Sequence, residues 1–220
     1  MCGRFNNHLP RMHGWSEMLG SWPAVPLSYN VAPSSKIAAF FASDDRQLLG
    51  AAMRWGMVPS WAREFTSKYA TFNARLESLA EKPTFADAWK MRRRCVIPMA
   101  GYYEWRQNEH GEKQPVYISD QETGLLVAAG LYEPWADQLS CTMITKAAIT
   151  PLKDIHHRMP ILLTQQAGQD WLHGDSLKLD ATKQQLMAAK SPNVVYWPVS
   201  RAVGNPRNDN AKLIDAVDTD

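Results

Sequence analysis

Cysteine is scarce in this chain. Three stand in 220 residues, Cys2, Cys95 and Cys141, and none share a CxxC spacing. So odd and sparse a set argues against a disulfide scaffold and against a cysteine-built zinc site, and it points to a reduced, cytoplasmic setting. The opening residues MCGRFNNHLP lack the apolar core of a secretory signal. No run approaches the length of a membrane span. Charge of one sign is lacking too: 24 Lys and Arg against 22 Asp and Glu leave a net charge of +2. That is too mild to announce a nucleic-acid partner, yet compatible with a local basic cleft. Repeats, low-complexity segments and Gly/Ser linkers are missing, so residues 1–220 read as a single domain with one core. A monomer without metal or organic cofactor is expected.

What is present is the composition of a globular chain, 45% hydrophobic and 21% charged. Nine tryptophans are many for this length and serve either a thick core or exposed stacking platforms. Short β-like runs dominate the first three quarters, at 37–42, 48–55, 94–97, 116–119, 125–131 and 142–145, with later strands expected at 160–163 and 194–197. Residues 120–124 read as a hairpin loop. A helix is expected from a cap at Thr84 to about Met91, with Asp87 at the capping-box position. Further helices are expected at 164–172, 180–189 and 209–217. Antiparallel strands with helices set to the side predict an α+β fold.

The residue with the most chemistry is Cys2. Initiator methionine is removed before small residues, and removal here leaves an α-amine and a thiol on one residue. The amine has a pKa of about 8, so part of it is neutral at pH 7. A neutral amine attacks an aldehyde to give a Schiff base. The thiol then adds to the same carbon and closes a five-membered thiazolidine, helped by a large effective concentration. Gly3 lets a partner's backbone come close.

Three other segments look like site-builders. TFNARLES (71–78) sets Asn73 and Arg75 two apart, on one face if extended. YYEW (102–105) holds Glu104 among aromatics, where burial would raise its pKa and suit it to proton transfer. DIHHRMP (154–160) places His156 and His157 beside Arg158, just before a strand. Each also has an ordinary structural reading: Asn73 as a turn residue, Glu104 as an ion-pair partner, His156 as a core histidine.

Together these pieces resemble the SOS-response-associated peptidase (SRAP) family, the abasic-site processing proteins. MCGRF, YNVAP, RWGMVPSWA, FNARLES, AEKPTF, RRRCVIP, GYYEW, IHHRMP and VSRAVGNPRND occur in family order across nearly the whole chain. The resemblance implies a curved, barrel-like, mainly antiparallel β-structure flanked by helices. It implies a cleft for single-stranded DNA, and a thiazolidine crosslink to the ring-opened sugar of an abasic site. By motif, Cys2 is the nucleophile. Asn73 hydrogen-bonds at the reaction centre, Glu104 shuttles protons, and His156 acts on the sugar oxygen. Arg4, Arg75 and Arg158 match positions near the DNA backbone, where guanidinium forks suit phosphates. Trp61 and Trp105 are candidates for stacking against bases, and Pro33 and Met57 for lining the cleft. The run Lys90, Arg92, Arg93 reads as a solvated face, with Arg94 set apart. Cys95 and Cys141 read as small buried hydrophobes. Two departures stand out: Ala100 where the family usually has Asp, and His157 where it often has Asp.

Other readings of Cys2 remain open at this point. An N-terminal-nucleophile amidotransferase explains Cys2 and Gly3 but not Glu104 and His156. A peptidase would pair Cys2 with His156, with cleavage limited to removal of its own Met1 as one form of that reading. A non-covalent single-strand-binding module needs no nucleophile.

Overall fold

Short apolar runs write most of the strands, and a computed structural model shows how they are used. It describes residues 2–8, 15, 19–43, 45–107, 111–174 and 178–218. Among the described residues eleven strands run in chain order: β1 Arg4–Asn6, β2 Lys36–Ala42, β3 Leu48–Trp55, β4 Asn73–Arg75, β5 Arg94–Met99, β6 Gly101–Gln107, β7 Lys113–Asp120, β8 Leu126–Trp135, β9 Gln138–Ala147, β10 Arg158–Pro160 and β11 Val194–Pro198. Three helices are described in full among these residues: α1 Pro83–Lys90, α2 Gln165–His173 and α3 Leu179–Ala188. None of the described helices is long and apolar enough to cross a membrane.

Strands β9, β3, β2, β5 and β8 pair in that order, and β8 closes back onto β9. The result is a five-stranded barrel in which only the β3–β9 pair is parallel. β4 and β10 extend the two edges of β9: Thr145 pairs with Arg75 on one side and Pro160 on the other. A second, antiparallel sheet runs β1-β6-β7-β11. The expected α+β class and barrel-like β-structure are therefore borne out.

Alternate residues of the barrel strands divide between two apolar clusters. Phe40, Val96, Val127 and Ile144 pack with helix residues such as Trp89, Trp171 and Leu186. Ala39, Ile97, Ala128 and Met143 pack instead with Phe5, Tyr102 and Ile118 of the second sheet, and with Cys2. The N-terminus thus belongs to the cluster shared by barrel and sheet.

Several local expectations need correction. Residues 120–124 do not close a hairpin, because β7 and β8 belong to different sheets. Asp120 Oδ1 instead accepts from the backbone N–H of Glu122 and of Thr123, which turns the chain from one sheet to the other. Helix α1 starts one residue before Thr84, at Pro83, with Lys82 as its cap and no side-chain capping bond; proline's fixed φ at the first helical position does the work. Helix α3 starts at Leu179, one residue before the expected 180, with Lys178 as its N-cap, and Thr164 caps α2. At 209–217 only a 3₁₀ turn forms, Ala211–Ile214. Its flanks are pulled extended, since Val217 N–H bonds Pro198 O and Val199 bridges Ala216.

Candidate active site

Cys2 lies just ahead of β1, whose Arg4 sits opposite Tyr103 on β6. Continued outward, that register carries Gly3 and Cys2 alongside Glu104 and Trp105. Cys2 is fully buried. Burial pushes its thiol well up, and the charge of Glu104 pushes the same way. The Asn73 side chain donates Nδ2–H to the Cys2 carbonyl at 2.6 Å. Asn73 is placed by the parallel β4–β9 pairing and by Trp55, whose Nε1–H donates to Phe72 O at 3.0 Å. Its own Oδ1 is buried and has no hydrogen-bond partner among the described residues.

Glu104 is 3% exposed on β6. Burial raises its carboxyl pKa, and the nearby His157 works against that rise. Tyr102, two residues earlier and therefore on the same strand face, is also buried. Burial raises its phenol, with Cys2 and Glu104 adding to the effect. Period-two reading of YYEW could have brought Tyr102 into the site beside Glu104; nothing in the sequence does so for Trp55 or for Glu77.

His156 follows a 3₁₀ turn at Leu152–Asp154. Its Nδ1 lies 3.0 Å from the Arg158 backbone N and 3.2 Å from the Arg158 carbonyl, so the backbone of this turn fixes the ring. Burial lowers its pKa, keeping the imidazole neutral for proton transfer. The His157 ring stacks on it at 4.2 Å between centroids.

The three arginines separate by environment. Arg158 is buried and forks onto Glu77, at 2.7 and 2.9 Å, and onto Thr145 O at 2.7 Å. Arg4 clamps the C-terminal segment through Asn30 Oδ1, Val203 O and Gly204 O. Arg75 is exposed, and none of the described hydrogen bonds or ion pairs engages its guanidinium. Trp61 is 61% exposed on the long loop between β3 and β4. Trp105 is half-buried against the cluster of Tyr103, Tyr117 and Val199. Pro33 is half-buried in a turn.

Met57 is not a cleft residue: it is fully buried and packs with Leu76 and Ile144. Of the basic run, Arg93 bridges the buried Glu133 at 2.6 Å, while Arg92 is half-buried; neither is simply solvated. Arg94 is buried, stacks over Trp171 and donates to the Trp171 and Gly174 carbonyls at the end of α2. Cys95 and Cys141 are free, buried thiols. Ala100, at the position of the usual Asp, leaves the local hydrogen bonding to backbone: its carbonyl accepts from Ser119 Oγ at 2.7 Å.

The structure thus sets an amide on the Cys2 carbonyl and a buried carboxyl beside Cys2, with the stacked His156–His157 pair close to that carboxyl. The family model for SOS response associated peptidase (SRAP) matches residues 1–206. The chain belongs to this family. The resemblance read from the motifs is borne out. Among similar SRAP relatives is the abasic site processing protein YoaM of Bacillus subtilis (strain 168), 35% identical over 194 residues, 86% of this chain and 85% of that protein. The abasic site processing protein YedK of Escherichia coli (strain K12) is 31% identical over 99% of this chain and 100% of its own length. A crystal structure of a Bacteroides thetaiotaomicron protein shares the fold, with a TM-score of 0.78 at 24% identity over 98% of this chain and 100% of that one.

Proposed function

We propose that this SRAP protein, once Met1 is removed, captures abasic sites in single-stranded DNA by forming a thiazolidine at Cys2. The α-amine of Cys2 attacks the aldehyde carbon of the ring-opened sugar. The carbinolamine loses water to give an imine, and the thiol then adds to the imine carbon while its proton passes to nitrogen. One C–N and one C–S bond form and one water leaves, so no cofactor is needed.

The observation that carries this reading is the Asn73 bond to the Cys2 carbonyl, with Glu104 buried beside the same residue. Holding that carbonyl fixes where the processed amine stands. The free Oδ1 of Asn73 is an acceptor for that amine or for a sugar hydroxyl. A carboxyl with a raised pKa is suited to take a proton from the ammonium and return one to the departing hydroxyl. His156, whose pKa burial lowers, serves as acid or base toward the sugar oxygen. The raised thiol pKa favours an order in which the amine attacks first, and it disfavours a thiolate-first hydrolase. In this reading Glu104 or His156 also assists removal of Met1. Arg75 and Trp61 supply an open phosphate contact and a stacking platform, while Arg4 and Arg158 hold the cleft walls. The names of the relatives support abasic-site processing as the setting.

The test is a denaturing gel. Processed protein and its Cys2→Ala variant are mixed with a single-stranded oligonucleotide carrying one abasic site, and with an undamaged strand. A shifted band for wild type on the damaged strand alone is expected. No band, with the α-amine verified free, would overturn the proposal.

A further inference from the structure

We propose that His157 and Arg75 together bind a backbone phosphate at the mouth of the Cys2 site, with His157 becoming a cation only when the phosphate is present. The inference rests on the reading that DNA crosses this cleft, and it names a contact that reading does not contain.

The two residues approach the end of β9 from opposite edges. Arg75 sits opposite Thr145 on one side. The His157 carbonyl accepts the Ala148 N–H on the other. The charges of Arg75 and Arg158 are felt at His157, and that of His157 at Glu104, so these side chains gather at one end of β9, where one phosphodiester can meet both His157 and Arg75. At the β10 edge the obvious cation is already engaged: Arg158 is buried, with its fork on Glu77 and Thr145. His157 is the exposed residue there. Its ring is held by the stack on His156, and that ring is in turn fixed by the Arg158 N–H. The side chain is therefore oriented before any ligand arrives.

The charges around His157 explain its conditional role. On its own turn stands His156, on β10 Arg158, on β4 Arg75, and on β6 Glu104. Any proton on His156, foremost, and the charges of Arg158 and Arg75 disfavour a proton on His157, whereas the Glu104 carboxylate favours one. The free protein thus keeps His157 neutral near pH 7. A phosphate between His157 and Arg75 reverses the balance, since its negative charge and acceptor oxygens stabilise the imidazolium. Binding then takes up a proton, and affinity rises as pH falls.

The test uses an undamaged single-stranded oligonucleotide, so covalent chemistry plays no part. Equilibrium affinity is measured from about pH 5.5 to about pH 8, the range in which histidine titrates, for wild type, His157→Asn and His157→Lys. Wild type is expected to bind about five- to tenfold tighter at the acid end than at the alkaline end, as one added charge-assisted contact implies. His157→Asn should lose most of that gain. His157→Lys should keep tight binding at both ends. The salt slope of wild type should steepen by about 0.7 from alkaline to acid pH, the value of one more single-strand phosphate contact. An identical pH response in wild type and His157→Asn would overturn the inference while leaving the DNA cleft standing. Absence of binding at every pH would overturn both.

Discussion

The side-chain amide of Asn73 holds the carbonyl of Cys2 at 2.6 Å, across 71 residues of sequence. A strand at the edge of the barrel thereby positions the first reactive residue of the chain. Asn73→Ala removes that donor. The crosslinking rate is expected to fall by about 10²-fold, in line with loss of one positioning hydrogen bond at a reaction centre. Stability should change by only about 1 kcal/mol. Single-turnover crosslinking and thermal unfolding of the same preparation check both outcomes.

Glu104 should show a trade between function and stability. Its folded pKa is raised by burial. Stability linked to such a group is fully present below the unfolded carboxyl pKa and is lost as pH rises through the folded one. Glu104→Gln escapes this loss. The variant is expected to match wild type in melting temperature at acid pH and to exceed it at neutral and alkaline pH. It should also crosslink about 10²–10⁴-fold more slowly. A melting-temperature difference that narrows with rising pH would contradict the buried-carboxyl reading.

Arg75 and Arg158 should respond oppositely. Arg75→Ala is expected to leave unfolding within about 0.5 kcal/mol of wild type and to reduce the salt slope of single-strand binding by about 0.7. Arg158→Ala removes the buried partner of Glu77, strands Thr145 O and should cost about 2–3 kcal/mol. Its salt slope should stay near that of wild type. Denaturant melts and salt titrations on the pair of variants check the division.

Trp61, exposed on its loop, should act on affinity alone. Trp61→Ala is expected to weaken single-strand binding by about 1–3 kcal/mol, the worth of one stacked base. Its melting temperature should not move. Met57→Ala, by contrast, opens a cavity in the core and should cost about 2–5 kcal/mol of stability.

How much of this was legible in the sequence depended on how far each residue's role is local. β3 was read to its ends, 48–55, and β2 within one residue, because turn-like segments bracket both runs. β6 was not read as a strand: GYYEW shows no polar alternation, since its first four residues are all buried between two packed surfaces. The cap of α1 was misplaced because Pro83 outweighs the Thr84 hydroxyl. Gathering Cys2, Asn73, Glu104 and His156 as candidates was possible by motif. Which arginines are free was not, because the Arg158–Glu77 pair spans 81 residues and arises only when β4 and β10 flank β9. His157 was visible as a departure from the family pattern, but its stacking on His156 was not.

The most direct test of the central claim is the intact mass of the adduct between processed protein and an abasic oligonucleotide, with and without borohydride. The account predicts the sum of the two masses less one water, unchanged by reduction, and with two of the three cysteines open to alkylation in denaturant. An adduct that gains two hydrogens on reduction and alkylates at all three cysteines would be a plain Schiff base, and would contradict the thiazolidine.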